Sequence, residues 1–112
     1  MAKLDYVELP APDVAGERAF YERAFGWKFT DYGPQYSAHE EHETQLGLNG
    51  TDTPTRTVLP LIRVEDIEAA YAAVVAAGGS ITVETIEYPG GKRFLFADPA
   101  GLEMGCYQPD QT

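Results

Sequence analysis

The chain has 112 residues, enough for one domain with a real core but too few for two independent ones. Eighteen acidic against eight basic residues give a net charge of -10, which repels phosphate backbones and anionic lipid and argues against nucleic acid and membrane surfaces as partners. No run approaches the ~20 apolar residues of a membrane span, the opening "MAKLDYVEL" lacks a signal-peptide pattern, and the single Cys106 precludes an intrachain disulfide or a Cys-rich zinc site, so the expected location is the cytoplasm.

The elements come in two similar rounds. "YVELPAPDVAGERAFYERAFGWKFT" and "LPLIRVEDIEAAYAAVVAAGGSIT" superpose without a gap, Asp13 on Asp66 and Gly26 on Gly79. A first strand is expected over residues 6–11. Asp13 then takes the N-cap position, where its carboxylate can accept from a free amide of the first helical turn. The helix that follows carries Val14, Ala15, Ala19, Phe20, Tyr21, Ala24 and Phe25 on a broad apolar face, expected to be core, and stops at Gly26. Short strands are expected over 27–32, 35–39 and 44–48, with a Gly33-Pro34 turn and an acidic turn between them.

The second round repeats this order. A strand over 58–64 leads to an N-cap at Asp66, and a helix with Ile67, Tyr71, Val74, Val75 and Gly78 on one face ends at Gly78-Gly79. Strands over 80–88, 93–97 and 102–107 follow, joined by Pro89-Gly90-Gly91 and by Asp98-Pro99-Ala100-Gly101. Pro99 presets φ for a tight turn and Gly101 accepts the positive φ that such turns often need. The unit is βαβββ, present twice: one domain over 1–112, with modules at about 4–49 and about 57–108 and a linker at about 50–56. Neither copy buries its helix face and sheet edge alone, so the expected fold is α+β, the modules joining into one curved mixed sheet with helices on its outer face.

"ELPAPDVAGERAFYERAFGW", "IRVEDIEAAYAAVVAAGG" and "FADPAGLEMGCYQ", in this order and spacing, resemble the vicinal oxygen chelate superfamily of glyoxalase I, bleomycin-resistance proteins and extradiol dioxygenases. The resemblance covers nearly the whole chain. It implies an open cup holding metal and substrate, a chain that pairs as a homodimer, and metal ligands on the first and last strand of each module. Carried over from the helix-start Asp residues and the Asp-Pro turn, those ligand positions fall on Tyr6, Gly47, Leu59 and Gly105. Leucine and glycine carry no side-chain donor and a neutral tyrosine is a poor one, so no metal and no other cofactor is expected. Gly105 is expected to leave space on the floor of the cup.

Strand alternation adds Glu8 to the face of Tyr6. A carboxylate on an interior face loses hydration and can exchange a proton with a ligand, which makes Glu8 the candidate catalytic residue; the structural alternative is a Glu satisfied by backbone amides or a basic neighbour. The expected ligand-binding residues are Tyr6, Glu8, Leu59, Leu61, Arg63, Glu103, Gly105 and Tyr107. Arg63 offers donors for an anionic ligand or lies at the rim in water, and Glu103 is expected to pair with it. Trp27, Tyr36, Phe94 and Phe96 add aromatic area for a planar ligand, although most of these are expected in the core.

"HEEHE", His39 to Glu43, has metal-ligand chemistry but sits where a hairpin turn is needed, and is expected to be a solvated acidic turn without a buried imidazole. Cys106 is expected under the helix as a small hydrophobe. "YPGGKRF" lacks phosphate-loop spacing and is expected to be a turn near the mouth of the cup. The resulting reading is a small-molecule binding protein without the family's metal. The competing one is a metal-dependent lyase or dioxygenase using an unusual set such as Glu8, Gln45 and Glu103.

Overall fold

A computed structural model of the chain describes residues 2–51 and 57–110. The element order is β1 (Lys3–Pro10), α1 (Val14–Phe25), β2 (Thr30–Asp31), β3 (Tyr36–His39), β4 (Gln45–Asn49), β5 (Leu59–Arg63), α2 (Ile67–Ala76), β6 (Ser80–Tyr88), β7 (Gly91–Ala97) and β8 (Glu103–Pro109). The βαβββ repeat is therefore present twice, and the architecture is α+β. Two compact units divide in sequence between Leu59 and Pro60, the first residues of the chain counting with the second unit. Most of the proposed linker, residues 52–56, lies outside the described residues. Among the described residues no helix is long and apolar enough to cross a membrane.

In the first module the strand order is β2-β3-β4-β1. β1 and β4 are parallel, with Glu8 opposite Gly47, while β3 runs antiparallel to β4, with Ala38 opposite Gly47 and Tyr36 opposite Asn49. Asp13 caps α1 by accepting from the Gly16 amide at 3.0 Å, and Gly26, at φ +70°, ends the helix in the left-handed region that glycine enters without a Cβ penalty. Leu9, Leu46, Leu48, Tyr21, Phe29, Ala11 and Val14 form the core beneath the helix. The apolar face of α1 is wider than this core: Phe20 and Phe25 are 51% and 61% exposed, and Val14 is the helix residue that is fully buried. The expectation of an all-core face is corrected accordingly.

The strand expected over 27–32 shrinks to Thr30–Asp31. Trp27 and Phe29 spend their side chains on packing, and the Lys28 carbonyl accepts from an imidazole instead of a neighbouring strand. The middle of α1 is tied to this short strand by Arg18, which bonds Asp31 at 2.5 Å; the pairing raises the pKa of the guanidinium and lowers that of the carboxyl.

In the second module the order is β5-β8-β7-β6, with β5 parallel to β8 and the remaining pairs antiparallel. Asp66 caps α2 through two amides at 3.1 Å, and Gln108 on β8 accepts from the Ile67 amide at 2.8 Å, so the helix start is fixed to the last strand. The core gathers Val64, Ile67, Phe94, Phe96 and Cys106, with Ile62, Tyr71, Val74 and Met104 packed around them. Phe94 and Phe96 thus belong to the helix side of the sheet, and Val75, expected on the buried face, is 52% exposed.

The Asp98–Gly101 turn closes as expected. Gly101 takes φ +88° and donates to the Asp98 carbonyl at 2.8 Å, while the Asp98 carboxylate accepts from the Ala100 and Leu102 amides at 2.9 Å each. In "YPGGKRF" the hairpin turns at Gly90, φ +112°, whose carbonyl accepts from Asp110.

Candidate functional site

The face of the first module turned away from α1 carries Tyr6 and Glu8 from β1, Gln45, Gly47 and Asn49 from β4, and Tyr36 and Ala38 from β3. Gly47 lies at its middle. A side chain there would collide with Tyr36, whose hydroxyl is the nearest atom, and would meet the Tyr6 hydroxyl at 2.5 Å. The two rings therefore converge over the glycine from strands on either side of β4. Their hydroxyls are 2.7 Å apart, and that of Tyr36 donates to Glu8 Oε2 at 2.9 Å.

Glu8 is only 3% exposed, and its second oxygen is held from the other side. Asn49 Nδ2 donates to Glu8 Oε1 at 3.0 Å, and Asn49 Oδ1 accepts from the Thr51 amide at 2.9 Å and the Thr51 hydroxyl at 2.6 Å. A backbone amide can only donate, so the Thr51 contact fixes which end of the Asn49 side chain faces the carboxylate. Burial first, and then the negative charge of Glu8, push the Tyr36 phenol far above its ordinary range, so Tyr36 keeps its proton. Chemically this is a buried carboxylate linked through one locked phenol to a second, half-buried phenol, that of Tyr6. Among the described contacts, side chains of β3 and β4 hold Glu8.

The equivalent face of the second module is apolar at its centre. Leu61 pairs with Gly105 on β8 and Leu95 pairs with it on β7. Their methyl groups fill the volume that a residue-105 side chain would need, Leu61 Cδ2 being the nearest and Leu95 Cδ2 lying 2.8 Å from the Cβ position. The space expected above Gly105 is thus already packed. Leu59 and Leu61 are buried, Arg63 is exposed at its strand end, and Tyr107 lies opposite Arg63 and Arg93. Glu103 accepts from Thr82 Oγ1 at 2.8 Å, so its partner comes from β6 and not from Arg63.

His39 departs furthest from expectation. It ends β3 and is 2% exposed, while Glu40, Glu41, His42 and Glu43 form the exposed turn. Its Nδ1 is 2.8 Å from the Lys28 carbonyl, its ring stacks on Trp27 at 4.6 Å and 6°, and its Nε2 has no hydrogen-bond partner among the described residues. Trp27 in turn stacks on Tyr21, placing both Trp27 and His39 on the α1 side, away from the Tyr6–Glu8 face. No three His, Cys, Asp or Glu side chains among the described residues gather around a common point. Cys106 is buried in the second core as expected, and burial pushes its thiol up to about 11.

Asn49 and Thr51 are members of the polar network that the sequence did not single out, and Tyr36, expected only as aromatic area, is a hydrogen-bonding member of it. The available signal was parity: Gln45, Gly47 and Asn49 alternate on one face of β4, and a residue opposite Asn49 shares that face.

Comparison with known proteins agrees with this architecture. A curated relative, the anthracycline biosynthesis protein DauV of Streptomyces sp. (strain C5), is 30% identical over 105 residues, covering 86% of this chain; the chain spans 38% of that relative's length. A hypothetical protein of Bacillus halodurans C-125 has a TM-score of 0.78 at 16% identity, over 99% of this chain and 96% of its own. The Mn(II)-bound glyoxalase from Novosphingobium aromaticivorans has a TM-score of 0.63 at 18% identity, over 96% of this chain and 40% of its own. At those identities the two structures establish the fold and nothing finer. The family model of the Glyoxalase/Bleomycin resistance protein/Dioxygenase superfamily matches residues 3–104, and with two βαβββ modules in place the chain belongs to that superfamily.

Proposed function

We propose that this chain binds a small, planar organic compound bearing an oxygen substituent, and does so without a divalent ion at the family's usual position. The observation that carries this reading is the filling of Gly47: the volume of a ligating side chain is taken by the hydroxyls of Tyr6 and Tyr36. The residues do not suit the metal. Positions 59 and 105 are leucine and glycine, and Tyr36 is held as the neutral phenol, a poor ligand. The alternative set is also committed elsewhere, Glu8 to Tyr36 and Asn49 and Glu103 to Thr82.

What remains at this face is hydrogen-bonding chemistry beside aromatic rings, which suits an aromatic ligand with one polar substituent. The name of the Streptomyces relative supports a polycyclic aromatic class. Tyr6 and Glu8 carry the polar recognition in this reading. On the second module's own face, Arg63, Glu103 and Tyr107 are the proposed polar contacts beside Leu59, Leu61 and Gly105, and on the first module Glu8 holds Tyr36 in place. A homodimer in the cytoplasm completes the proposal.

The test is metal analysis of protein purified without chelators, followed by calorimetric titration with planar aromatic alcohols and ketones before and after dialysis against EDTA. The expected result is a substoichiometric metal content and unchanged binding. A stoichiometric divalent ion whose removal abolishes binding, and whose return restores it, would overturn the reading. Light scattering on the eluting protein checks the dimer.

A further inference from the structure

We propose that the turn between β3 and β4 is a low-affinity site for a divalent transition ion of the zinc or nickel kind, with His39 Nε2 and the His42 imidazole as its protein ligands. The starting point is a polar atom that lacks a partner. A carbonyl can only accept, so the 2.8 Å contact with Lys28 puts the proton of the neutral His39 ring on Nδ1 and leaves a lone pair on Nε2. That atom is shut off from water and has no hydrogen-bond partner among the described residues, in a residue that is 2% exposed. A buried acceptor left unpaired is unfavourable, and a bound ion is one of the few groups that would satisfy it. The arrangement is also the usual one for a ligating histidine, in which one ring N–H is committed to a carbonyl and the other nitrogen takes the metal.

The second ligand comes three residues later. His42 is exposed on the turn, and its ring lies 5.2 Å from that of His39 at an interplanar angle of 61°. Two imidazoles bonded to one tetrahedral ion at about 2.0–2.1 Å have ring centroids about 5 Å apart, so the pair already stands at the spacing the ion requires. His39 is the fixed member, held by the Lys28 carbonyl and by its 4.6 Å stack on Trp27, while the exposed His42 rotates to admit the ion and closes on it. Glu41 and Glu43 flank His42 on the same exposed turn, and their charge draws cations toward it. Imidazole nitrogen favours zinc and nickel over magnesium and calcium, which prefer oxygen. Among the described residues no third ligating side chain gathers with the two rings, so water fills the remaining positions. Two nitrogen ligands where a structural zinc site has four set a Kd on the order of 1–100 μM. An ion held that weakly is lost in purification, in line with the substoichiometric metal content expected above.

This site is independent of the proposed organic ligand, because His39 and Trp27 lie on the α1 side of the module, and its test reads a separate signal. Trp27 is the chain's single tryptophan and stacks on His39, so an open-shell ion at Nε2 quenches its fluorescence. Titration of the full chain with Ni²⁺ is expected to quench Trp27 saturably with a single ion per chain, Zn²⁺ to compete with Ni²⁺ and reverse the quench, and Mg²⁺ at the same concentration to have no effect. His42→Ala, at an exposed position, is expected to weaken Ni²⁺ binding at least about tenfold with the melting temperature of the metal-free chain unchanged. Long-range proton–nitrogen correlation spectra test His39 without altering the core: on adding Zn²⁺ its Nε2 resonance is expected to shift while Nδ1 keeps its proton. No saturable quench in the wild type, a quench shared by Mg²⁺, wild-type Ni²⁺ affinity in His42→Ala, or an unmoved His39 Nε2 at saturating Zn²⁺ would each overturn the site and leave the ligand reading as it stands.

Discussion

Replacing Gly47 with alanine tests whether the centre of the first module's open face is filled by the two phenols. The added Cβ would overlap the Tyr36 hydroxyl, stand 2.5 Å from the Tyr6 hydroxyl and 2.9 Å from Tyr36 Cζ. Both hydroxyls have to move, and the strands that carry the rings fix how far they can go. Displacing Tyr36 removes a hydrogen bond to a buried carboxylate, worth about 1.5–3 kcal/mol, and the phenol–phenol bond adds about 1 kcal/mol. Alanine recovers about 0.5–1 kcal/mol through its lower chain entropy in a strand. A net loss of about 2–3 kcal/mol is expected, read as a lower urea midpoint at unchanged m-value by circular dichroism. The same substitution at Gly105 meets the methyl ends of Leu61 and Leu95, which can rotate, and is expected to cost about half as much. In a Tyr36→Phe background the atom in closest conflict is gone, so Gly47→Ala should cost at least about 1 kcal/mol less there. A Gly47→Ala chain within about 0.5 kcal/mol of wild type, or one whose deficit is untouched by Tyr36→Phe, would refute the reasoning.

Two further outcomes follow from groups outside the network. Burial raises the Cys106 thiol from 9.0 to about 11, so the folded chain holds this proton more tightly than the unfolded one; the resulting stability is complete below pH 9.0 and is lost as pH rises through about 11. The melting temperature of the wild type should therefore fall more steeply across that window than that of Cys106→Ala, and parallel curves would show that the thiol does not titrate in the core. Asp66→Ala removes the acceptor of two amides at the start of α2 and should cost about 1 kcal/mol in urea unfolding, with Asp66→Asn recovering most of it.

The fold was legible because each of its signals is local. Asp13 and Asp66 announce helix starts through amides within three residues, Gly26 ends α1 through its own φ, and Asp98 to Gly101 closes its turn through bonds among five consecutive residues. Repetition multiplied those signals. The departures fall where a side chain's environment depends on distant partners. Helical periodicity shows that Phe20 and Phe25 share a broad apolar side of α1, but how much of that side the sheet covers depends on how far strands such as β2 extend. The acidic neighbours of His39 point to a solvated turn. Stacking on Trp27 and the Lys28 carbonyl, eleven and more residues away, hold it inside instead.

The candidate site was half legible for the same reason. Parity alone puts Tyr6 and Glu8 on one face, and the family resemblance carries a ligand position onto Gly47, which has no side chain, but an empty position has two physical meanings. It can leave room for a ligand, or it can make room for a neighbour. Choosing between them requires the register of β3 against β4, because only the pairing of Tyr36 with Asn49 brings a second phenol over the glycine from the far side. A slip of one residue would turn Tyr36 toward α1 and leave Glu8 without its donor. The glycine, the two tyrosines and the glutamate are consequently one device: Gly47 admits the rings, the rings carry the hydrogen-bond chain, and the buried carboxylate accepts from Tyr36 at its end.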